Sequence, residues 1–185
     1  RAMSRKGVLN ELNAERVWKE LSRALLEPFP RLFFDTLLEC DVLQVLFPDI
    51  YRLKTALEAY QWHPEGDAYE HTMLVLEQAC SYKGGKEFNL TLRMCALTHD
   101  LGKGVTPRDK LPKHHGHEIK GVSVVKNFCN SVGVPAKIRD RCMKVTRYHM
   151  NMHKLKELNS KTVVRMFNGL GAKNDHDIVN YLYFL

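Results

Sequence analysis

The stretch "LTLRMCALTHDLGKG", residues 90–104, begins as a continuous apolar run and reaches two adjacent polar residues, His99 and Asp100. Its apolar side chains cover most of the circumference of a helix, which predicts that the helix is buried. An ionised carboxylate near the interior is costly unless a cation or hydrogen bonds compensate its charge. A divalent metal ion supplies that compensation. Because an imidazole beside a carboxylate suits Mn, Fe, Co, Ni or Mg better than a structural zinc site of thiolates, the stretch predicts a metal centre with nitrogen and oxygen ligands.

The composition predicts a globular protein with a core of its own. The chain has 185 residues, of which 44% are hydrophobic and 26% charged, and this length is enough to bury a sizeable core. It has no run of eighteen apolar residues and no apolar signal segment at its N-terminus, so we expect no membrane partner and a cytoplasmic location. The first residue is Arg and not Met, which we interpret as the start of a segment excised or processed from a longer protein.

Positive charge is concentrated in one part of the chain. Residues 101–165 contain 15 Lys and Arg against 4 Asp and Glu, a net charge of +11, whereas the whole chain carries +7. A solvated basic helix face is one interpretation of such an excess. Because this excess extends over several predicted elements, we favour a polyanionic partner such as RNA, whose phosphates clustered Lys and Arg neutralise.

Helices are predicted along the whole chain, and local signals mark several of their ends. Asn13 and Asp67 are residue types that cap helix N-termini, and each precedes a run with apolar residues at helical spacing. Asn89 is predicted to cap the buried helix, and Pro135 to start the helix that contains "RYHM". The segment "YRLKTALEAYQ", residues 51–61, is predicted to be helical as well.

Glycine, proline and charged residues dominate one long interruption of this pattern, "GKGVTPRDKLPKHHG", residues 102–116. A loop of this length in a compact domain is frequently functional. No alternation typical of strands competes with the helices, so the predicted fold class is all-α. We expect a helical bundle over residues 61–185, preceded by a smaller helical neck segment over residues 1–60.

Six of the nine histidines lie at predicted helix ends or beside this loop, and His71 is the first candidate for a further ligand. It lies 28 positions before His99, which is far enough for the intervening helix and turn to fold back. The alternative for His71 alone is a buried histidine bonded to a backbone carbonyl. When His71 is taken together with His99 and Asp100, metal ligation is the better interpretation.

The order of these motifs resembles the HD phosphohydrolase superfamily, which is named after the His-Asp doublet. His71 comes first, then His99 and Asp100 with "LGKG", then "HHGHEIKG" and "RYHMNMH". The phrases "WHPEGDAYEHTMLVLEQA", "ALTHDLGKGVTP" and "LPKHHGHEIKG" more closely resemble the HD domain of bacterial CCA-adding tRNA nucleotidyltransferases. The opening "RKGVLNELNAERVWKELSRAL" is similar to the neck segment of those enzymes, so the resemblance spans nearly the whole chain.

The resemblance implies a helical bundle of the HD-domain type that acts as a metal-dependent phosphohydrolase. The activities associated with this domain are those of a 2′,3′-cyclic phosphodiesterase, a 2′-nucleotidase and a phosphatase, with Ni, Mn, Co or Mg as the cofactor. The implied partners are tRNA, 2′,3′-cyclic nucleotides and 2′-phosphorylated ends, in tRNA 3′-end maturation and repair. The sequence leaves the oligomeric state open, with a homo-oligomer among the alternatives.

The resemblance also implies roles for individual residues. His71, His99 and Asp100 would be the metal ligands, and the catalytic set would be Asp100, His99 and Lys103. Lys103 lies one turn after Asp100, where it would meet the charge of the phosphate; its alternative is a solvated loop lysine. The residues expected to hold a second metal ion or contact phosphate are His117 and His149, and those expected to contact substrate or RNA are His114, His115, Lys113 and Arg147.

Two features of the CCA-adding enzymes have no counterpart in this sequence. Their nucleotide-adding head, which would use Mg with ATP and CTP, needs a Gly-Ser doublet followed by Asp-x-Asp, and "KGGKE" is no such motif. We therefore expect that this chain does not add nucleotides by itself. The distal Asp of an HD site is also missing, since the late carboxylates Asp175 and Asp177 lie in no convincing context. We expect that ligand beyond Leu185, and hence an HD domain truncated at its C-terminus with an incomplete metal site.

Two other functions are compatible with the sequence. One is a non-catalytic basic module that holds tRNA while the head domain works, and it could coexist with hydrolysis. The other is a free-standing HD nucleotidase unrelated to tRNA, which the similarity to the neck segment disfavours.

Overall fold

A computed structural model describes residues 12–61 and 63–171. These residues are mainly helical, which confirms the all-α prediction, and an isolated antiparallel bridge joins Leu57 to Asp67. The late carboxylates Asp175 and Asp177 lie outside the described residues. The α-helices are α1 (Ala14–Leu26), α2 (Arg31–Glu39), α3 (Leu43–Leu46), α4 (Pro48–Arg52), α5 (Ala68–Ala79), α6 (Lys86–Thr98), α7 (His117–Val132), α8 (Ala136–His153) and α9 (Ser160–Leu170). Short 3-10 turns lie at Leu53–Thr55, Leu101–Val105, Arg108–Lys110 and Leu155–Glu157.

The predicted caps of α1 and α5 are confirmed. The side chain of Asn13 accepts a hydrogen bond from the backbone N–H of Arg16 at 2.8 Å, and Asp67 accepts one from Glu70 at 2.9 Å. Each bond satisfies an amide of the first helical turn, which has no partner within the helix. The cap of α5 matters for the site because this helix carries His71.

The predicted cap at Asn89 is wrong, because α6 begins one turn earlier, at Lys86. The Asn89 amide instead bonds both backbone groups of Gly84, donating to its carbonyl and accepting from its N–H, each at 3.0 Å. Asn89 therefore closes the turn that leads into α6 rather than starting the helix.

The helix predicted over residues 51–61 is confirmed only as far as residue 55 and is wrong beyond it. The chain leaves the helical conformation at Ala56, because its backbone pairs with the segment that precedes α5. The carbonyl of Ala56 accepts from Ala68 N–H, and Glu58 N–H donates to Gly66, both at 3.0 Å. This pairing brings residues 57–59 to the edge of the site.

One hydrophobic core joins the helices on both sides of residue 60. Leu21, Leu25 and Phe34 belong to the same cluster as Met73 and Phe128, and each fully buried side chain of this kind contributes about 1.5–3 kcal/mol through burial. Helix α6 lies in this core with residues 92–98 all buried, which confirms the prediction made for it. The domain division at residue 60 stays a prediction, since the core runs through it.

A buried arginine joins α6 to the end of α1 through hydrogen bonds. Arg93 on α6 donates from Nη1 to the carbonyls of Leu25 and Glu27, at 2.6 and 2.9 Å. The last carbonyls of a helix have no partner within the helix, so a buried cation is well placed to satisfy them. Over the part of the chain described, no helix combines the length and the apolar character needed to cross a bilayer.

Candidate metal centre

The carboxylate of Asp100 lies at the end of α6, 2% exposed, with four imidazoles around it. Its Oδ2 is 3.1 Å from His99 Nε2 and 3.8 Å from His71 Nε2. Its Oδ1 is 3.1 Å from His117 Nε2 and 3.3 Å from His149 Nε2. The fold therefore brings together α5, the end of α6, α7 and α8 at one carboxylate. The three metal ligands named from the sequence, His71, His99 and Asp100, lie here together with His117 and His149 of the expected second set.

Hydrogen bonds at the Nδ1 atoms fix the orientation of these imidazoles. In three of them the acceptor is the backbone carbonyl three residues earlier: Ala96 for His99 at 2.8 Å, His114 for His117 at 2.9 Å and Thr146 for His149 at 2.8 Å. A carbonyl only accepts, so Nδ1 carries the proton and the Nε2 of the neutral ring keeps a lone pair directed into the site. Such bonds typically orient metal-ligating histidines.

The donor atoms fit a divalent cation. The Nε2 atoms of His117 and His149 are 3.1 Å apart, and in the neutral rings both carry lone pairs that would repel each other. Asp100 Oδ1, which faces both, is buried without a hydrogen-bond partner among the described residues. A cation between these atoms would satisfy all of them.

Asp100 belongs to two such sets of ligands. His71, His99 and Asp100 form one, and Asp100, His117 and His149 form the other, with the donor atoms of each set within 4.8 Å of one another. A carboxylate with two oxygens can bridge two metal ions. The geometry is therefore compatible with one ion or with two, and its ligands match the nitrogen and oxygen set that was predicted.

Electrostatics keep Asp100, His71 and His149 in the protonation states that a metal needs. Burial alone raises the pKa of Asp100, but the imidazoles around it outweigh that effect and hold the pKa well below its usual value. Burial lowers the pKa of both His71 and His149, so these rings are neutral at pH 7. Burial also lowers the pKa of His117, but the carboxylate of Asp100 raises it by more, so the pKa of His117 lies above its usual value. His117 therefore holds a proton more tightly than a free histidine does, and a metal ion would compete with that proton.

Lys103 lies in a buried chain of charges and not in solvent. Its Nζ is 2.8 Å from Asp100 Oδ2 and 2.6 Å from Glu58 Oε1. Burial lowers the pKa of Lys103, but the two carboxylates raise it by more, so the ammonium stays charged. The alternative of a solvated loop lysine is therefore wrong. Glu58, only 4% exposed at its side chain, was missed because it lies in the segment wrongly predicted as helix.

A cavity of about 660 Å³ opens above these ligands. His114 and His115 both contribute to its wall, but the two differ in exposure. His115 is exposed, whereas His114 is buried, with its ring bonded to Thr106 Oγ1 and the Leu57 carbonyl, each at 2.9 Å. A contact of His114 or His115 with substrate stays a prediction, and the bond from the His114 ring joins the long loop to Leu57.

The other two residues expected to contact substrate or RNA lie outside this cavity. Lys113 is exposed and lies on the wall of an adjoining cavity. Arg147 is half-buried on α8, with its guanidinium 5.6 Å from the centre of the Tyr148 ring. A contact of either residue with RNA stays a prediction.

Glu65 supports the site from outside, and it was not foreseen. Its Oε1 accepts hydrogen bonds from His71 Nδ1 at 2.8 Å and from His63 Nδ1 at 3.0 Å. Burial raises the pKa of Glu65, but a backbone hydrogen bond and the two imidazoles outweigh it and lower the pKa to about 2. The sequence feature that could have indicated Glu65 is its position in the loop six residues before His71 and two residues before the Asp67 cap.

Replacing Glu65 by Gln should weaken metal binding. The carboxylate holds the His71 ring and increases the basicity of its Nε2, and loss of such a partner typically costs about 10–100-fold in metal affinity. The measurement is a calorimetric titration with Mn²⁺, and Glu77→Gln on the exposed part of α5 is the matched control. Equal affinity in the two variants would show that Glu65 does not support the site.

Comparison with known proteins places the chain in a family. Residues 68–182 match the HD domain, and residues 1–53 match a family described as "Probable RNA and SrmB- binding site of polymerase A". Because the first match covers more than half of the chain, the chain belongs to the HD domain family. HD domains bind divalent metals, which agrees with the cluster at Asp100.

Several relatives share one name, "Multifunctional CCA protein". The relative from Shewanella denitrificans is 42% identical over 166 residues, which are 90% of this chain and 39% of that protein. Those from Mannheimia succiniciproducens and Pasteurella multocida are each 41% identical over 169 residues, 91% of this chain and 40% of theirs. These matches confirm the resemblance inferred from the motifs. The chain spans about two fifths of the length of the relatives it matches.

Proposed function

We propose that this chain is the phosphohydrolase part of a tRNA-processing protein, and that it hydrolyses 2′,3′-cyclic phosphodiesters and 2′-phosphate esters with a divalent metal. The observation that carries the proposal is the arrangement at Asp100, where two sets of donor atoms share one buried carboxylate. The family match and the relatives named "Multifunctional CCA protein" supply the biological context. Mn, Co, Ni and Mg are the candidates because the ligands are imidazoles and a carboxylate.

The residues of the site divide the work between binding and positioning. A divalent cation held there would polarise a phosphoryl oxygen and make water more acidic. His71, His99 and Asp100 would hold it, with His117 and His149 available for a second ion or for the phosphate. The Lys103 ammonium, which contacts Asp100 and Glu58 and forms part of the cavity wall, would lie beside the phosphate and stabilise its negative charge.

Hydrolysis of 2′,3′-cyclic AMP by the purified chain, with Mn²⁺, Co²⁺ or Ni²⁺ added, tests this proposal. We expect release of 2′- or 3′-AMP that stops when the metal is chelated and that His99→Ala abolishes. The matched control is Lys126→Ala, which changes an exposed residue of α7 away from the site. Equal rates in the wild type and in His99→Ala would contradict the catalytic proposal.

We also propose that the chain binds tRNA. Residues 101–165 carry a net charge of +11, and the match over residues 1–53 is to a family described by its RNA binding. This function needs no hydrolysis, so it is also the alternative should the catalytic proposal fail.

The affinity for tRNA should fall steeply with salt. Binding that releases counterions from phosphates weakens by about a hundredfold or more between 50 and 200 mM salt when several Lys and Arg take part. Filter binding of labelled tRNA across this range measures the effect. An affinity that does not change with salt, or no binding at 50 mM, would contradict the proposal.

A further inference from the structure

We propose that a second, basic cavity beside the metal centre is a subsite for the upstream phosphates of a single-stranded RNA whose 3′ end lies at the metal centre. The inference rests on the proposed function, because the basic cavity would extend the same site. Lys110, Lys113 and Lys120 supply the charge of this basic cavity.

The basic cavity adjoins the metal cavity. It has a volume of about 490 Å³, and Pro112 and His115 form part of the wall of both cavities. A ligand longer than one nucleotide could therefore pass from one cavity into the other along these shared residues. The long loop, residues 102–116, provides most of the wall, which gives this loop a role that the metal centre alone does not require.

The charges of the basic cavity are not compensated within the fold. Lys110, Lys113 and Lys120 are all exposed, and Asp109 is the one carboxylate on the same wall. Within the two described ranges, none of the three ammonium groups forms an ion pair with a carboxylate. Three cations on one concave wall repel each other, and an anionic chain relieves that repulsion.

The position of Lys120 relates this charge to the metal centre. Lys120 follows His117 by three residues on α7, so their Cβ atoms lie about 5–6 Å apart on neighbouring positions of one helix face. His117 is buried and faces Asp100, whereas Lys120 is exposed and faces the basic cavity. A phosphoester held at His117 would thus leave the next phosphate of the same strand near Lys120.

A cyclic mononucleotide cannot use both cavities. Its single phosphate would lie at the metal centre, and it has no second anionic group that could bind Lys113 and Lys120. An RNA strand carries one phosphate per nucleotide and supplies the second anion. An acidic peptide would match the charge of the basic cavity but offers no phosphoester to the metal centre, so RNA is the ligand that accounts for both.

The first test compares two substrates in two double variants. We expect Lys113→Ala with Lys120→Ala to lower kcat/KM for an RNA trinucleotide ending in a 2′,3′-cyclic phosphate about tenfold more than kcat/KM for 2′,3′-cyclic AMP, mainly through KM. Lys83→Ala with Lys86→Ala removes the same charge from exposed positions outside both cavities and should change neither value. Equal losses on the two substrates, or equal effects of the two double variants, would overturn the inference.

The second test uses binding and does not depend on hydrolysis. A fluorescent RNA hexanucleotide with a free 3′-hydroxyl should bind the wild type with a salt dependence whose slope falls by about 2 in the Lys113 and Lys120 variant. An unchanged slope, or displacement of the RNA by hexaglutamate at the same concentration as by unlabelled RNA, would overturn the inference. If the wild type hydrolyses neither substrate, the proposed function fails, while this measurement still decides whether the basic cavity binds RNA.

Discussion

Replacing Asp100 by Asn should lower the affinity for Mn²⁺ by more than about a hundredfold, because loss of a residue that only supports a ligand already costs 10–100-fold. Asp100 contributes an oxygen to both ligand sets, and among the described residues it alone belongs to both. Asn keeps the size of the side chain but carries no charge to attract a cation, and hydrolysis of 2′,3′-cyclic AMP should be lost with the metal.

The control for this variant is Asp140→Asn. Asp140 is an exposed carboxylate on α8 whose partner is the neighbouring Arg139, so its loss changes the net charge equally without touching the site. Calorimetric titration gives the affinities, and circular dichroism shows that both variants are folded. Metal binding in Asp100→Asn that equals binding in Asp140→Asn would exclude Asp100 as the shared ligand.

Replacing Gly102 by Ala should destabilise the chain by about 3 kcal/mol or more, the upper range for forcing extra atoms into a packed interior. A Cβ at Gly102 would overlap the backbone carbonyl of His117 and would lie 2.8 Å from the Cα of Gly121. Both neighbours are backbone atoms of α7, so no side chain can rotate away to make room. The whole helix would have to move away from the end of α6.

Urea denaturation measures this effect, with Gly85→Ala as the control. A Cβ at Gly85 meets no atom within 4 Å, so we expect a loss of at most about 1 kcal/mol there, from the weaker N-cap. We also expect Gly102→Ala to weaken Mn²⁺ binding in the fraction that folds, since a displaced α7 takes His117 with it. Equal stability of the two variants would show that the close contact does not determine the position of α7.

The glycines of "LGKG" show which features of the fold the sequence predicts and which it does not. The motif indicated a turn after the His-Asp doublet, but not that Gly102 lies directly against Gly121, 19 residues further along the chain. The caps at Asn13 and Asp67 could be predicted because a cap depends on the four residues that follow it. The close approach of His71, His99 and Asp100 could be predicted, because a buried carboxylate without a partner is energetically costly and therefore needs polar groups nearby.

The residues that were missed depend on contacts between distant parts of the chain. Residues 51–61 have helical periodicity, yet Ala56 and Glu58 pair with the backbone at 66–68, and tertiary pairing of this kind overrides local propensity. Glu58 reaches Lys103 only through that pairing, across 45 positions. The burial of His114 could not be predicted for the same reason, because its ring bonds the carbonyl of Leu57, which is 57 positions away.

The helix that ends at the candidate metal centre is packed against helices that precede residue 60. Helices before and after residue 60 share one core, and Arg93 bonds the end of α1 from the helix that carries His99 and Asp100. Helix α1, which lies within the segment matched to the family described by its RNA binding, is therefore packed against the helix that ends at the candidate metal centre.

The central claim is that Asp100 and its four imidazoles hold a divalent cation. Diffraction from crystals soaked in Mn²⁺, measured at a wavelength where manganese scatters anomalously, tests it most directly. We expect an anomalous peak in contact with the Asp100 carboxylate and with Nε2 of His71 and His99. A second peak near His117 and His149 would indicate that two ions bind. Saturating Mn²⁺ with no peak at Asp100, or with a peak only at exposed carboxylates, would contradict it.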